Sequence, residues 1–174
     1  ASETAFSRLW KLAFRGAAER YRPLTPAVLD RLHLELGMIE GLGYSTYFLV
    51  VADIAAEARR RGIPTIGRGS AAASLVSYAL GITPVDPIAH DLTFERFLHP
   101  GRPDPPDIDL DFCWRRRDEI LDYVYRAYCD SHVAMIGTHN TFHTRSAVRE
   151  TAKAFGLAPR EAERLLAQGW ANTP

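Results

Sequence analysis

The most restrictive feature of this sequence is a run in which acidic and apolar residues alternate strictly, from Asp107 to Phe112. In a β-strand alternate side chains share a face, so the three aspartates would point one way and Ile108, Leu110 and Phe112 the other. Aspartate is a poor strand former and like charges on one face repel, so such a strand needs something that offsets the repulsion. Mg²⁺ binds carboxylate oxygens together with water and substrate phosphates, which makes the run a candidate metal site.

The acidic run is also compatible with two roles that need no such metal site. A solvated edge strand can carry acids that only prevent aggregation. A phosphatase would use the first aspartate of D-x-D as its nucleophile, but that motif normally continues with Thr or Val where this chain has Asp111. The apolar opposite face and the four prolines between positions 99 and 106, which deliver the chain in an extended form, favour the metal site.

A second candidate site is the turn Gly67-Arg68-Gly69-Ser70, which stands between a short apolar stretch and an alanine-rich run. The pattern predicts a strand over 63–66 and a helix from the turn to about Gly81. Free N–H groups at a helix N-terminus bind anions, and glycine allows a phosphate to approach the backbone. Ser70 adds a hydroxyl and Arg68 a positive charge, although an ordinary helix N-cap at Ser70 accounts for the turn equally well.

The apolar periodicity of the remaining chain is mainly helical. Helices are predicted over 3–22, 26–41, 45–61, 115–128, 141–156 and 159–168. A third short strand is predicted over 133–136, beside those at 63–66 and 107–112. Together these elements predict an α+β fold in which a small mixed sheet is covered by helices.

Composition narrows the choice of partners and of compartment. Twenty-one basic residues balance twenty-one acidic ones, so any charged partner must be recognised by a local patch. The two cysteines fit neither a disulfide framework nor a C-x-x-C pair, and no apolar run approaches the length of a membrane span. These features predict a protein of the reducing cytoplasm with no membrane partner.

Several longer motifs surround the two candidate sites in a fixed order. GRGSAAASLVSYALGITPVDP is followed by FERFLHP and then by PDIDLDF with RRDEILDYV, and GYSTYFLVVADI precedes all of them. In order and spacing these motifs, over about 44–157, resemble the palm of the bacterial C-family DNA polymerases, which comprise the DNA polymerase III alpha subunit and its error-prone relatives. The later segment THNTFHTRSAVRETAKAFGL resembles the start of the thumb and leans toward the error-prone branch.

The resemblance implies a palm similar to the polymerase beta-like nucleotidyltransferase fold and gives roles to residues of this chain. Asp107 and Asp109 would be catalytic and would bind two metal ions, Mg²⁺ or alternatively Mn²⁺. Asp111 receives no role. Four residues would bind a deoxynucleoside triphosphate, with the first two at its β- and γ-phosphates: Gly69, Ser70, Arg68 and Arg96.

The resemblance also implies three parts, namely a helical lead-in over 1–43, the palm over 44–138 and the start of the thumb over 139–174. In the thumb, three cations that recur every four residues would face primer-template DNA: Arg145, Arg149 and Lys153. A solvated basic helix face accounts for the same spacing.

Members of this family have a third aspartate well over a hundred residues after D-x-D, so in this protein it would follow Pro174. We therefore expect a palm and early-thumb fragment that copies DNA only as part of the full protein. Its partners would be the remaining polymerase domains or subunits and, through them, a sliding clamp. The alternative is a non-catalytic module that binds metal, nucleotide or DNA and works only with a partner chain.

Overall fold

The computed structural model of the chain describes residues 3–101, 105–129 and 131–168. The chain divides into two compact units, residues 1–133 and 134–174. Within the described residues, no helix is both long and apolar enough to cross a membrane.

Seven α-helices and two strands form the regular structure of the described residues. In chain order they are α1 (Ala5–Arg20), α2 (Pro26–Gly41), α3 (Ser45–Arg60), β1 (Thr65–Arg68), α4 (Leu75–Ala79), β2 (Asp109–Phe112), α5 (Arg117–Tyr128), α6 (Thr144–Ala154) and α7 (Pro159–Ala167). A short 3-10 turn, Gly69–Ala73, follows β1, and a second one, Phe94–Arg96, precedes β2. The α+β class and the predicted long helices are confirmed.

The predicted sheet differs from the observed one in size and type. Strands β1 and β2 form a two-stranded antiparallel sheet rather than a mixed one. The predicted strand over 133–136 is wrong, because these residues are not in a strand and Met135 and Ile136 are 65% and 89% exposed. A strand needs a neighbour for its backbone hydrogen bonds, and the described part of unit 134–174 contains no other strand.

The predicted alanine-rich helix after the glycine turn is also interrupted. Ser74 has an extended backbone (φ −96°, ψ 123°), so the 3-10 turn Gly69–Ala73 ends before it and α4 begins after it. The Ser74 hydroxyl accepts a hydrogen bond from the Ser77 N–H at 3.0 Å and thereby caps α4.

Helices α1 to α4 enclose the main core of unit 1–133. Thr4 and Thr25 cap α1 and α2 through their side chains, and Pro26 opens α2, where its missing N–H costs nothing. The largest fully buried apolar side chains of this core come from these helices and from the segment after α4, namely Leu9, Leu32, Leu36, Ile39, Phe48, Leu75, Ile82, Phe94, Phe97 and Leu98.

The sheet register sets which residues of the two candidate sites face each other. Arg68 lies opposite Asp109, Gly67 opposite Leu110, and Ile66 opposite Asp111. The Gly67 N–H donates to the Ile82 carbonyl at 2.9 Å. A Cβ on Gly67 would lie 2.5 Å from that oxygen, so this close approach of backbone to backbone requires glycine.

In unit 134–174, helices α6 and α7 pack against each other. Ala152 of α6 is buried together with Ala162 and Leu166 of α7. Arg149 of α6 donates to the Glu163 carboxylate of α7 at 2.7 Å.

The end of α3 is held by a buried carboxylate, and this yields a first prediction. Arg60 and Arg61 both donate to Glu57, at 2.6 to 2.7 Å, and Arg61 also donates to the Glu119 carbonyl of α5 at 3.0 Å. The two hydrogen bonds from Arg60, and after them the one from Arg61, lower the pKa of Glu57 from its ordinary 4.5 to about 2.

Because the folded state lowers this pKa, the contribution of Glu57 to stability is present above pH 5 and is lost as the pH falls toward 2. We expect Glu57→Gln to lower the free energy of unfolding at pH 7 and to differ much less from wild type at pH 3. Urea denaturation of both chains at the two pH values measures this. A difference that is as large in acid as at neutral pH would contradict the assignment.

Candidate functional site

The acidic strand is neutralised from the neighbouring strand. Arg68, the last residue of β1, places Nη1 3.2 Å from Asp109 Oδ2 and Nε 2.8 Å from Asp111 Oδ2. The hydrogen bond with Asp111 and the charge of both carboxylates raise the pKa of Arg68. One arginine therefore offsets the repulsion that the sequence pattern left unexplained, and all three side chains remain substantially exposed.

Asp107 precedes the strand rather than belonging to it. The strand begins at Asp109, and Asp107 is an exposed residue of the extended segment before it. The N–H of Ile108, between the two aspartates, donates to the Tyr47 hydroxyl of α3 at 3.1 Å. Burial raises the pKa of Tyr47, and the nearby negative charges of Asp107 and Asp109 raise it further. Tyr47 thus anchors the segment that carries both aspartates.

The donor set suits a cation that completes its shell with substrate and water. Among the described residues, no group of three or more His, Cys, Asp or Glu side chains is arranged to hold a metal. Mg²⁺ typically takes only one or two carboxylates, with phosphate and water oxygens filling the other positions, so Asp107 and Asp109 fit such an ion. Arg68 binds Asp109 Oδ2 and would compete with a metal ion for that oxygen.

A cleft of about 290 Å³ lies beside the acidic strand. The residues after β1 form one side of the cleft, and the loop before β2 forms the other. It is lined by Gly69, Ser70, Ala72, Ala73, Leu92, Thr93 and Arg96. The structure thus brings together three of the four residues predicted to bind a nucleotide. The fourth, Arg68, does not line the cleft and instead binds the carboxylates of Asp109 and Asp111.

Gly69 and Ser70 line this cleft where it comes nearest to the acidic strand. Gly69 has φ +74°, a left-handed conformation that glycine adopts without strain, and a Cβ there would lie 3.6 Å from Asp109 Oδ2. The cleft therefore adjoins the acidic site. The Ser70 side chain makes no hydrogen bond to any described residue, and Ser74 caps α4, so the alternative of Ser70 as a helix N-cap is wrong.

The N-terminus of α4 is not free for an anion. The first N–H groups of α4, those of Leu75 and Val76, donate to the Glu35 carboxylate at 2.9 and 3.0 Å. Those donors are therefore unable to hold a phosphate, and the cleft itself offers the Gly69 turn, the Ser70 hydroxyl and a cation.

Arg96 supplies the cation of the cleft. It ends the 3-10 turn Phe94–Arg96, whose position is fixed by the fully buried rings of Phe94 and Phe97. Arg96 is exposed and forms no ion pair with any residue that the structure describes. Its guanidinium is thus available for a phosphate.

The three cations of α6 differ in their surroundings. Arg149 is paired with Glu163 at 2.7 Å and Lys153 with Glu150 at 3.2 Å. Arg145 has no ion-pair partner in the described parts of the chain. Of this set, only Arg145 carries a charge that no described residue of the unit compensates.

Sequence reasoning missed the residues that position the cleft and the acidic segment. Tyr47 gave no signal beyond its aromatic character. Arg31 and Glu35 did give one, because they are a charged pair at i,i+4 spacing directly before the core residues Leu32 and Leu36 of an otherwise apolar helix face.

Comparison with known proteins agrees with the resemblance in the motifs. The model of the bacterial DNA polymerase III alpha NTPase domain matches residues 7–173. The chain is 52% identical over 149 residues to the error-prone DNA polymerase of Symbiobacterium thermophilum, which covers 86% of this chain and 14% of that protein. It is 46% identical over 158 residues to the DNA polymerase III subunit alpha of Bacillus subtilis, which covers 90% of this chain and 14% of that protein.

The match extends over nearly the whole chain in a third relative. The error-prone DNA polymerase of Caulobacter vibrioides is 42% identical over 171 residues, which are 98% of this chain and 16% of that protein. The chain thus spans about one seventh of the length of these relatives. Because the family model covers residues 7–173, the chain belongs to the bacterial DNA polymerase III alpha NTPase domain family.

Proposed function

We propose that this chain is the metal- and nucleotide-binding part of a DNA polymerase that transfers deoxynucleotides to a primer 3′-hydroxyl. The observation that carries the proposal is that Gly69, Ser70 and Arg96 line one cleft, which adjoins Asp109. Residues 44–138 would be the palm and residues 139–174 the start of the thumb.

The residues of the cleft would bind and orient the triphosphate. Arg96 would pair with its negative oxygens, while Ser70 and the backbone at Gly69 would donate hydrogen bonds to them. Asp107 and Asp109 would hold Mg²⁺, or alternatively Mn²⁺, which when bound supplies positive charge against the phosphates and the attacking oxygen.

The reaction is attack of the primer 3′-oxygen on the α-phosphorus. A new phosphodiester bond forms as the bond from the α-phosphorus to the bridging oxygen breaks, and pyrophosphate leaves. Arg68 would have to release the oxygen of Asp109 that it now binds, while its bond with Asp111 keeps it on the same strand face. This gives Asp111 a role as the alternative partner of Arg68.

The rest of the polymerase would take part in turnover. A third carboxylate, the remaining polymerase domains or subunits, primer-template DNA and a sliding clamp would be its partners. A chain that binds triphosphate and metal without extending a primer would function as a binding module until those partners join it.

The two aspartates can be tested by substitution. We expect the chain to bind dATP in the presence of Mn²⁺, and Asp107→Asn or Asp109→Asn to abolish the metal-dependent part of the affinity. The fold should remain, since removing one of several like charges relieves repulsion. Calorimetric titration with and without Mn²⁺ measures this, with Asp122→Asn of α5 as a control carboxylate. Unchanged affinity in both site variants would overturn the two-aspartate assignment.

The cation of the cleft makes a separate prediction. Because Arg96 would contact phosphate and not base or sugar, we expect Arg96→Ala to weaken dATP binding about tenfold or more and deoxyadenosine binding little. Titration of both ligands against wild type, Arg96→Ala and the exposed Arg117→Ala measures the difference. Equal losses for both ligands would indicate damage to the fold instead.

The uncompensated charge of α6 predicts unequal effects on DNA binding. We expect Arg145→Ala to weaken binding to duplex DNA and to reduce the slope of log K against log salt by about one, because one phosphate contact is lost. Lys153→Ala should change the slope less, since Glu150 already pairs with that lysine. Fluorescence anisotropy at several salt concentrations measures the slopes, and identical slopes for Arg145→Ala and wild type would contradict a DNA-facing role.

A further inference from the structure

A fully buried carboxylate lies behind the cleft. Glu35 of α2 is 0% exposed and accepts four hydrogen bonds, two on each oxygen. Oε1 accepts from Arg31 Nε at 2.6 Å and from the Leu75 N–H at 2.9 Å. Oε2 accepts from the Ser74 hydroxyl at 2.8 Å and from the Val76 N–H at 3.0 Å. This one side chain therefore fixes where the Gly69–Ala73 turn ends and α4 begins.

The guanidinium that pairs with Glu35 connects the two sides of the cleft. Arg31 Nη2 donates to the Ala73 carbonyl at 3.0 Å and to the Leu92 carbonyl at 2.8 Å. Ala73 closes the turn that begins at Gly69, and Leu92 precedes Thr93 and the turn that ends at Arg96. Both carbonyl-bearing residues line the cleft. One planar group thus links the backbone of the two sides directly.

Stability alone is a weak reason to keep such a pair. Burying a carboxylate has a large desolvation cost, and apolar side chains of similar volume at a buried ion pair are often as stable or more stable. An arginine fork has a property that apolar side chains lack, because it fixes several acceptors at defined distances and angles. The contacts of Arg31 use that property at Ala73 and Leu92.

We propose that Arg31 and Glu35 are positioning residues for the triphosphate cleft, which hold its Gly69–Ala73 side and its Thr93–Arg96 side at the distance that a triphosphate requires. The inference rests on the proposed function for the identity of the ligand. Neither residue lines the cleft, so both act through the backbone that they hold.

Arg31→Lys is the first test. Lysine keeps the positive charge, but its single nitrogen cannot take the place of Nε at Glu35 and that of Nη2 at the two carbonyls at the same time. We expect dATP affinity, measured with Mn²⁺ on the 174-residue chain, to fall about tenfold or more and dAMP affinity to fall much less. Glu57→Gln is the matched control, since it breaks a comparable Glu–Arg network that contacts no cleft residue. If the ratio of dATP affinity to dAMP affinity is the same in Arg31→Lys as in wild type, the proposal is overturned.

An apolar replacement separates positioning from stability. We expect the double variant Arg31→Met with Glu35→Leu to unfold at a denaturant concentration no lower than that at which Glu57→Gln unfolds. We also expect it to lose the preference for dATP over dAMP. A double variant of that stability with the wild-type preference would show that the pair only supports the fold. If the double variant does not fold, Arg31→Lys decides alone.

Hydrogen exchange tests the same coupling without any ligand. In Arg31→Lys, we expect the backbone amides of 69–73 and those of 93–96 both to exchange faster than in wild type. In Glu57→Gln, the same amides should exchange at the wild-type rate. If wild type fails to bind dATP while this paired change occurs, the proposed function fails and the positioning role stands. If wild type binds dATP and neither segment changes in Arg31→Lys, the positioning role is wrong and the proposed function stands.

Discussion

The ion pair between Arg31 and Glu35 is the interaction on which the rest of the candidate site depends. It joins α2 to the end of the glycine turn, to the start of α4 and to the loop before the FERF motif. Through these contacts the interior of the helical core determines the shape of a surface cleft. The core that surrounds the pair, in which Leu32, Leu36 and Phe94 are fully buried, makes the charged groups costly to move.

In the acidic strand, the proposed function would give Arg68 one arrangement without metal and another with metal. Arg68 lies opposite Asp109 and binds both Asp109 and Asp111, which neutralises a face that would otherwise repel itself. A cation at Asp109 would take over that task and leave Arg68 with Asp111. The third aspartate of the run, which has no role in the family pattern, thereby acquires a physical one in this chain.

The sequence patterns predicted much of the helical fold, because apolar periodicity is a local signal that α1 to α3 satisfy. They failed at Ser74, since the break there depends on Glu35, a residue distant in the chain. They also failed at 133–136, where apolar composition suggested a strand but no strand in the described part of that unit is present to pair with it. For the site, Gly69, Ser70 and Arg96 were found together through motif order. The i,i+4 spacing of Arg31 and Glu35 was a signal of a charged pair, but it did not reveal that Arg31 binds the backbone on both sides of the cleft. Tyr47, which binds the backbone of the acidic segment, gave no such signal.

The most direct test of the central claim, that the cleft and the aspartates form one site, is a crystal structure of this chain with dATP and Mn²⁺, in which anomalous scattering locates the metal. We expect Mn²⁺ at the carboxylates of Asp107 and Asp109, phosphate oxygens at Gly69, Ser70 and Arg96, and Arg68 bound to Asp111 alone. An intact pair between Arg68 and Asp109, with the nucleotide and the metal bound elsewhere on the chain, would contradict it.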